Sequence, residues 1–329
     1  MHEFSRMSRT AAVAAVTAAL ASTMTAAAGT ALAAEHSPAW CKPGGILSAR
    51  ALPQRIKIAD CDLRGRTVRG ANGLAATVPT DGTSLVAHSL RTNGATDLRI
   101  EVDDRAGEVI ITGRGERVPE ARPRGSRAPV NPCADGAHRL QPSTWLRGTK
   151  VQWHYYPGTR GLPGTGINKG VSNMADARTD CGGGRFTPPP DIGEYYAGRT
   201  GNAPNITGRA TCGTRDKSNT FGWLRMSGTA NNVLAATCIW YVGKTTIETD
   251  MALQEQGTKW WSGGKCRPGS YSVEAVATHE AGHVFGLAHV PGAAHAGLTM
   301  APSIGSCDNG PATLAKGDYA GLIALYGGR

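Results

Sequence analysis

The hydrophobic pattern of the chain is mostly that of β-strands, with one clear helical segment in the middle. Alternating apolar and polar positions, or short apolar runs rich in β-branched and aromatic residues, predict strands. These lie at residues 55–58, 83–87, 98–102, 108–111, 151–156, 234–242 and 246–253, with a hairpin turn at 103–107. A helix is expected at residues 167–177, after glycine-rich turns.

The N-terminus has the pattern of a secretory signal peptide. Arg6 and Arg9 precede an alanine-rich apolar run at residues 11–28, and the small-residue sequence Ala-Leu-Ala follows at 31–33. We expect residues 1–33 to be a signal peptide cleaved before Ala34. The protein is then secreted and extracellular, without a membrane span, because no other stretch reaches 18 apolar residues.

Composition divides the remaining chain into two regions joined by a linker. Residues 34–115, called here the front region, are β-rich, and residues 116–132 are rich in proline and arginine, as in an exposed linker. Residues 133–329 form the second expected domain, which is long enough for one core.

Eight cysteines in an exported chain predict disulfide bonds. Two of them precede the linker and six follow it, so each region can pair its own cysteines. Among the six, we favour Cys266 with Cys307 and Cys212 with Cys238, while the other pairings stay open.

The most specific feature is the sequence HEAGHVFGLAH at residues 279–289. Positions four apart share a helix face, so His279 and His283 can bind one ion, and Glu280 lies beside it. A continuing helix would carry His289 away from that face, and Gly286 supplies the break that lets it return as third ligand. Three histidines leave the fourth position of tetrahedral Zn²⁺ open for water, which is typical of a catalytic site.

This motif resembles that of the metzincin zinc metallopeptidases, and Leu-Thr-Met-Ala-Pro at 298–302 resembles their methionine turn, with Met300 under the metal. Pro302 makes it more similar to the matrixin branch, and residues 314–327 resemble the C-terminal helix of that branch. The resemblance implies an α+β fold. It comprises a twisted mixed sheet, an active-site helix, a C-terminal helix, and zinc in a cleft under an edge strand, which in matrixins lies where residues 246–253 stand.

The function implied is a secreted zinc endopeptidase that hydrolyses peptide bonds of proteins, with Glu280 as general base and then general acid. The alternative is an envelope- or matrix-binding protein with a vestigial peptidase fold.

The formal charge of +10 falls to +9 without the signal peptide, and suits attraction to anionic cell-envelope surfaces. Scattered basic residues and few aromatic residues argue against a nucleic-acid partner.

The role of the front region stays open between a removable pro-segment of a zymogen and a retained accessory module. Matrixin pro-segments place a cysteine on the zinc, and Cys133 sits where such a latch could lie. The family's Pro-Arg-Cys-Gly pattern is absent there, so a disulfide is the better interpretation.

His154 and His295 are expected to be ordinary polar residues. Asp250 supports either a loop or, as in matrixins, a Ca²⁺ ion.

Overall fold

A computed structural model of the chain describes residues 38–41, 44–70, 72–113, 117–118, 129–226 and 232–329. The predicted signal peptide and most of the predicted linker lie outside these residues. The described chain belongs to one compact unit that comprises residues 37–329.

Seventeen strands and three α-helices occur in the described residues. The strands are β1 Leu47–Ser48, β2 Arg55–Lys57, β3 Thr67–Arg69, β4 Ala75–Thr77, β5 Ser84–Arg91, β6 Gly94–Asp103, β7 Glu108–Thr112, β8 Arg117–Val118, β9 Lys150–Tyr156, β10 Gly193–Arg199, β11 Ile206–Thr207, β12 Thr211–Cys212, β13 Thr220–Leu224, β14 Val233–Val242, β15 Thr245–Gln254, β16 Lys259–Trp261 and β17 Ser270–Ser272. The helices are α1 Thr165–Ala175, α2 Val273–Val284 and α3 Lys316–Tyr326, with short 3₁₀ turns at Ala293–His295 and Gly310–Ala312.

Ten of the described strands form one mixed sheet in the order β10-β9-β13-β15-β14-β5-β6-β7-β2, with β8 paired to β6. Strands β10, β9, β13 and β15 run parallel, and α1 lies in the connection from β9 to β10. From β15 onward, through β14 and β5 to β2, every pairing is antiparallel. The sheet therefore contains strands of the front region and strands of the second region side by side.

Two hydrophobic clusters cover the two faces of this sheet. On β14, Ala235 belongs to the cluster that includes the three helices, and its neighbour Ala236 belongs to the other cluster. Alternate residues of a strand point to opposite faces, so the helices lie on one face only. On the opposite face packs a small sheet in the order β1-β3-β4-β12-β11.

Four disulfides join the eight cysteines, and none links the front region to the rest. The pairs are Cys41–Cys61, Cys133–Cys181, Cys212–Cys238 and Cys266–Cys307. Both favoured pairings are present. Cys133 is bonded to Cys181, so the structure contradicts its alternative role as a zinc latch.

The α+β class is confirmed, and the structure has strands or helices where the hydrophobic pattern places them. One expectation is wrong: the strand at residues 246–253 is not an edge strand. It forms most of β15, which lies between β13 and β14, and its residues from Glu248 onward are buried. Among the described residues, no helix is long and apolar enough to cross a membrane.

Candidate metal centre

Helix α2 carries the first part of the HEAGHVFGLAH sequence. Its first turn is capped by Ser272, whose Oγ accepts a hydrogen bond from the backbone N–H of Ala275 at 3.1 Å, and Glu274 suits the positive end of the helix dipole. The helix ends at Val284. Gly286 then has a φ of +93°, a left-handed conformation that favours glycine, and the chain turns back toward the sheet.

The turn brings His289 to the two histidines of the helix. The Nε2 atoms of His279 and His283 each lie 3.1 Å from the Nε2 atom of His289. All three side chains are buried, with at most 2% of their surface exposed. The structure thus gathers three imidazole nitrogens in the buried interior beneath the sheet.

The other ring nitrogen of each histidine, Nδ1, faces a hydrogen-bond acceptor. Nδ1 of His279 lies 2.7 Å from the carbonyl oxygen of Thr299, and Nδ1 of His283 lies 2.9 Å from that of Leu287. Nδ1 of His289 lies 2.8 Å from Oδ1 of Asp97. Each Nδ1 therefore carries the proton, which leaves the Nε2 lone pairs facing one another.

Such an arrangement fits a cation. The Nε2 atoms are 3.1 Å apart and their lone pairs face one another, so they repel unless a positive ion lies between them. Neutral histidines whose second ring nitrogen donates to a carbonyl or carboxylate are the usual zinc ligands. Burial lowers the pKa of His279 to about 3, and it also lowers the pKa of His283 well below its ordinary value. Both rings are thus neutral, as zinc binding requires, and His279, His283 and His289 would hold the ion.

Glu280 lies beside this cluster and is fully buried. Its Oε2 accepts a hydrogen bond from the hydroxyl of Thr237 on β14 at 2.5 Å, while its Oε1 has no hydrogen-bond partner. Burial raises the pKa of Glu280 to about 7, against the opposing effect of the Thr237 hydrogen bond. A carboxyl group with one free oxygen and a pKa near neutrality is suited to transferring protons.

Met300 lies under the helix, in a turn that Asp318 holds in place. An added Cβ on Gly282 would stand 2.2 Å from Sδ of Met300, so the Met300 side chain packs directly against the backbone of α2. The carboxylate of Asp318 accepts hydrogen bonds from the backbone N–H groups of Thr299 and Met300 at 2.9 and 3.0 Å. The carbonyl of Thr299 in turn orients His279, so this turn positions a residue of the histidine cluster.

The structure adds two residues that the sequence analysis missed, His88 on β5 and Asp97 on β6. They face each other across the two strands, and Asp97 also contacts His289. One ligand nitrogen from each of His88, His283 and His289 lies within 4.8 Å of the others. The sequence did contain a signal for His88, because side chains alternate between the two faces of a strand. This alternation places His88 between Val86 and Leu90 on an apolar face. The Asn-Gly sequence at 93–94 marks the hairpin that pairs His88 with Asp97.

The remaining candidates have ordinary environments. His154 is partly buried on β9, and Nδ1 of His295 lies 2.8 Å from Oδ2 of Asp135. Both carboxylate oxygens of Asp250 accept backbone N–H groups, from Asn205 at 2.5 Å and from Thr220 at 2.8 Å. Asp250 therefore fixes loops in this structure, and no group of possible metal ligands among the described residues includes it.

The predicted cleft is not confirmed, because the histidines and Glu280 are enclosed. The strand next to them is β14, and β15 and β5 flank it on both sides. The front region, to which β5 belongs, therefore forms part of this enclosure.

Comparison with known families agrees with the chemistry of this cluster. Residues 225–327 match the family model of the matrixins, Peptidase_M10, and this segment contains β14, β15, α2 and the methionine turn. No curated protein and no solved structure matches the chain. The C-terminal part of the chain is therefore similar to the matrixins, which supports a zinc metallopeptidase in general.

Proposed function

We propose that the chain is a secreted zinc-dependent endopeptidase that hydrolyses peptide bonds of proteins. The observation that carries this proposal is the convergence of three Nε2 atoms beside a buried carboxyl group, within a segment that matches a peptidase family. Four disulfides, together with the predicted signal peptide, support an extracellular location.

Each residue then has a defined task. Zinc, when bound, would polarise the substrate carbonyl and make water acidic enough to attack near neutral pH. His279, His283 and His289 would hold the ion, and the groups on their Nδ1 atoms keep the rings oriented. Glu280 accepts the proton of the attacking water through its free oxygen and delivers it to the leaving amine. Thr237 holds the other oxygen and so fixes the direction in which the carboxylate points.

The test separates metal binding from proton transfer. We expect purified protein to contain one zinc ion per chain, and chelators to stop its cleavage of casein. Glu280→Gln should keep the zinc and lower turnover by at least about 100-fold, the lower end of the range for general acid–base catalysis.

Glu274→Gln is the matched control, because Glu274 is on the same helix but points away from the histidines. It accepts a hydrogen bond from the side-chain amide of Asn173 and lies near Lys169. This variant should leave turnover within about twofold, since surface substitutions away from special features have small effects. Equal turnover in Glu280→Gln and the parent protein would show that Glu280 is not the base.

A further inference from the structure

A cavity of about 560 Å³ lies at the end of the large sheet that is away from the metal centre. It is lined by β9 and β10, by the loop at residues 161–164 and by the start of α1. Strands β13 and β15 separate β9 from β14, so β9 and β14 are about 14 Å apart at the usual strand spacing. None of the described residues that line the cavity is a histidine or belongs to the metal centre. The cavity is therefore separate from the site described above.

The loop beside the cavity is fixed to the sheet. The hydroxyl of Tyr155 donates a hydrogen bond to the carbonyl oxygen of Leu162, and the indole N–H of Trp223 donates one to that of Pro163 at 3.0 Å. An added Cβ on Gly164 would lie 2.9 Å from the ring of Tyr155, so the loop packs directly on this ring. The cavity is thus formed in advance, and its size is within the range of about 300–1,000 Å³ that is usual for ligand sites.

The walls of the cavity are aromatic, and a cation stands at its rim. Tyr196 packs against Trp153 with ring centroids 4.9 Å apart, yet 39% of the surface of Tyr196 is exposed. The guanidinium carbon of Arg199 lies 6.0 Å from the centre of the Tyr155 ring. Among the residues that the structure describes, no carboxylate forms an ion pair with Arg199. Tyr196 and Arg199 are called here the rim residues.

The polar groups around the cavity narrow the class of ligand. The carboxylate of Glu194, on the same strand as the rim residues, accepts hydrogen bonds from the indole N–H of Trp153 and the hydroxyl of Ser172, both at 2.8 Å. It is therefore engaged and does not neutralise Arg199. Aromatic walls beside a cation without a carboxylate partner are complementary to a bulky apolar group that is accompanied by a negative charge.

The rim residues belong to β10, the last strand of the sheet. No described strand pairs with the outer edge of β10, and extended peptides commonly bind by adding a strand to such an edge. Tyr196 is paired with Trp153 and Arg199 with Tyr155, two residues further along β9, so both rim residues face the same side of the sheet. In an extended peptide, residues two positions apart likewise share a face.

We propose that this cavity binds an extended protein segment in which an acidic residue stands two positions from a bulky apolar one. The apolar side chain packs against Tyr196, and the carboxylate pairs with Arg199. The site then holds a protein substrate at a distance from the bond that is cut. This substrate role rests on the proposed function, whereas binding of the segment does not.

The first experiment measures peptide binding by fluorescence anisotropy. It uses the full mature chain with Glu280→Gln, so that the probe stays intact. The probe is the rhodamine-labelled, amidated peptide Ser-Glu-Ser-Phe-Ser-Glu-Ser, which has the required spacing in both chain directions. We expect saturable binding that weakens as the salt concentration rises. The isomer Ser-Ser-Glu-Phe-Glu-Ser-Ser has its acidic residues on the face opposite to phenylalanine and should bind at least about threefold more weakly.

Two variants test the rim residues separately. Arg199→Gln should weaken binding of the probe at least about threefold and remove most of its salt dependence. Tyr196→Ala should weaken it at least about fivefold through lost aromatic packing. Arg199 is exposed, so its variant keeps the test available if Tyr196→Ala does not fold.

The matched controls are Tyr195→Ala and Arg209→Gln. Tyr195 is on the same strand and 56% exposed, but it is paired with Gln152 and lies on the opposite face. Arg209 is an exposed arginine between β11 and β12. Both controls should bind the probe as the parent does. Folded protein that does not bind the probe, equal binding of the two isomers, or unchanged binding by Arg199→Gln would overturn the proposal, as would an equal loss in Tyr195→Ala and Tyr196→Ala.

The second experiment adds the unlabelled probe to the parent protein while it digests casein. We expect the KM for casein to rise with probe concentration at unchanged kcat, whereas cleavage of a short peptide that cannot reach both sites stays the same. A probe that binds but does not slow casein cleavage would overturn the substrate role. Folded parent protein that holds no zinc and cleaves no casein would instead overturn the proposed function, while the binding experiment would still test the cavity.

Discussion

Gly170 on α1 offers a direct test of how the ligand-bearing helix is supported. An added Cβ at this position would lie 2.6 Å from Cβ of Ala277 and 2.6 Å from the backbone nitrogen of Thr278 on α2. Carbon atoms in ordinary contact are about 3.5–4.0 Å apart, so Gly170→Ala must push the two helices apart by about 1 Å. Thr278 immediately precedes His279, so the movement reaches the histidine cluster.

Two effects of opposite sign decide the stability of Gly170→Ala. Alanine in a helix interior is favoured over glycine by about 1 kcal/mol, whereas inserting a methyl group into a packed core costs about 1–3 kcal/mol. The upper part of that range applies here, because one of the contacts is with backbone, which cannot rotate away. We therefore expect a net loss of about 1–2 kcal/mol in the free energy of unfolding.

The assay is urea unfolding of the zinc-free protein, followed by measurement of zinc affinity by chelator competition. Gly170→Ala should lower both the unfolding midpoint and the affinity. The control is Gly201→Ala, where an added Cβ meets nothing within 4 Å and the change should stay within about 0.5 kcal/mol. Gly170→Ala with stability equal to or above that of the parent would refute the tight crossing of α1 and α2.

Three further predictions concern stability. Asp318→Ala removes the acceptor of three buried backbone N–H groups and should cost at least about 3 kcal/mol in urea unfolding; an unchanged midpoint would contradict this. Burial raises the pKa of Tyr326 from 10.0 to about 12. The unfolded chain therefore loses this proton first, and the free energy of unfolding should fall as pH rises through about 10 to 12, by about 3 kcal/mol in total. Tyr326→Phe should make this alkaline decline less steep, and an identical slope would count against it. Replacing both Cys266 and Cys307, which are 41 residues apart, by serine should cost about 4 kcal/mol from loop entropy alone, and a loss below about 1 kcal/mol would argue against that account.

The elements around the zinc motif were predictable because their signals are local. Helix α2 follows from the spacing of His279 and His283, and its end follows from Gly286, all within a dozen residues. The same holds for the hairpin of β6 and β7, whose turn is marked by its own residues.

The position of β15 inside the sheet was not predictable in the same way. Its partners β13 and β14 are chosen by long-range pairing, and no residue within β15 records which neighbour lies on each side. A strand with both edges paired and a strand with one free edge can have the same hydrophobic pattern. The edge position was therefore carried over from the resemblance, and the structure corrects it.

The pairing of β5 with β14 joins residues about 150 positions apart, so no short-range pattern could reveal it. Once formed, however, it fixes the chemistry of the site. Side chains of a strand alternate between faces, so a slip of β5 by one residue would turn His88 to the opposite face and bring Ala87 or Ser89 over the helix. The same slip would move Val86 and Leu90 from the helix side to the face where Leu85 and Ala87 now pack against the small sheet. Correct burial of the front region and correct placement of His88 thus require the same register. A front region that is folded on β14 is therefore also one that covers the histidines of the motif.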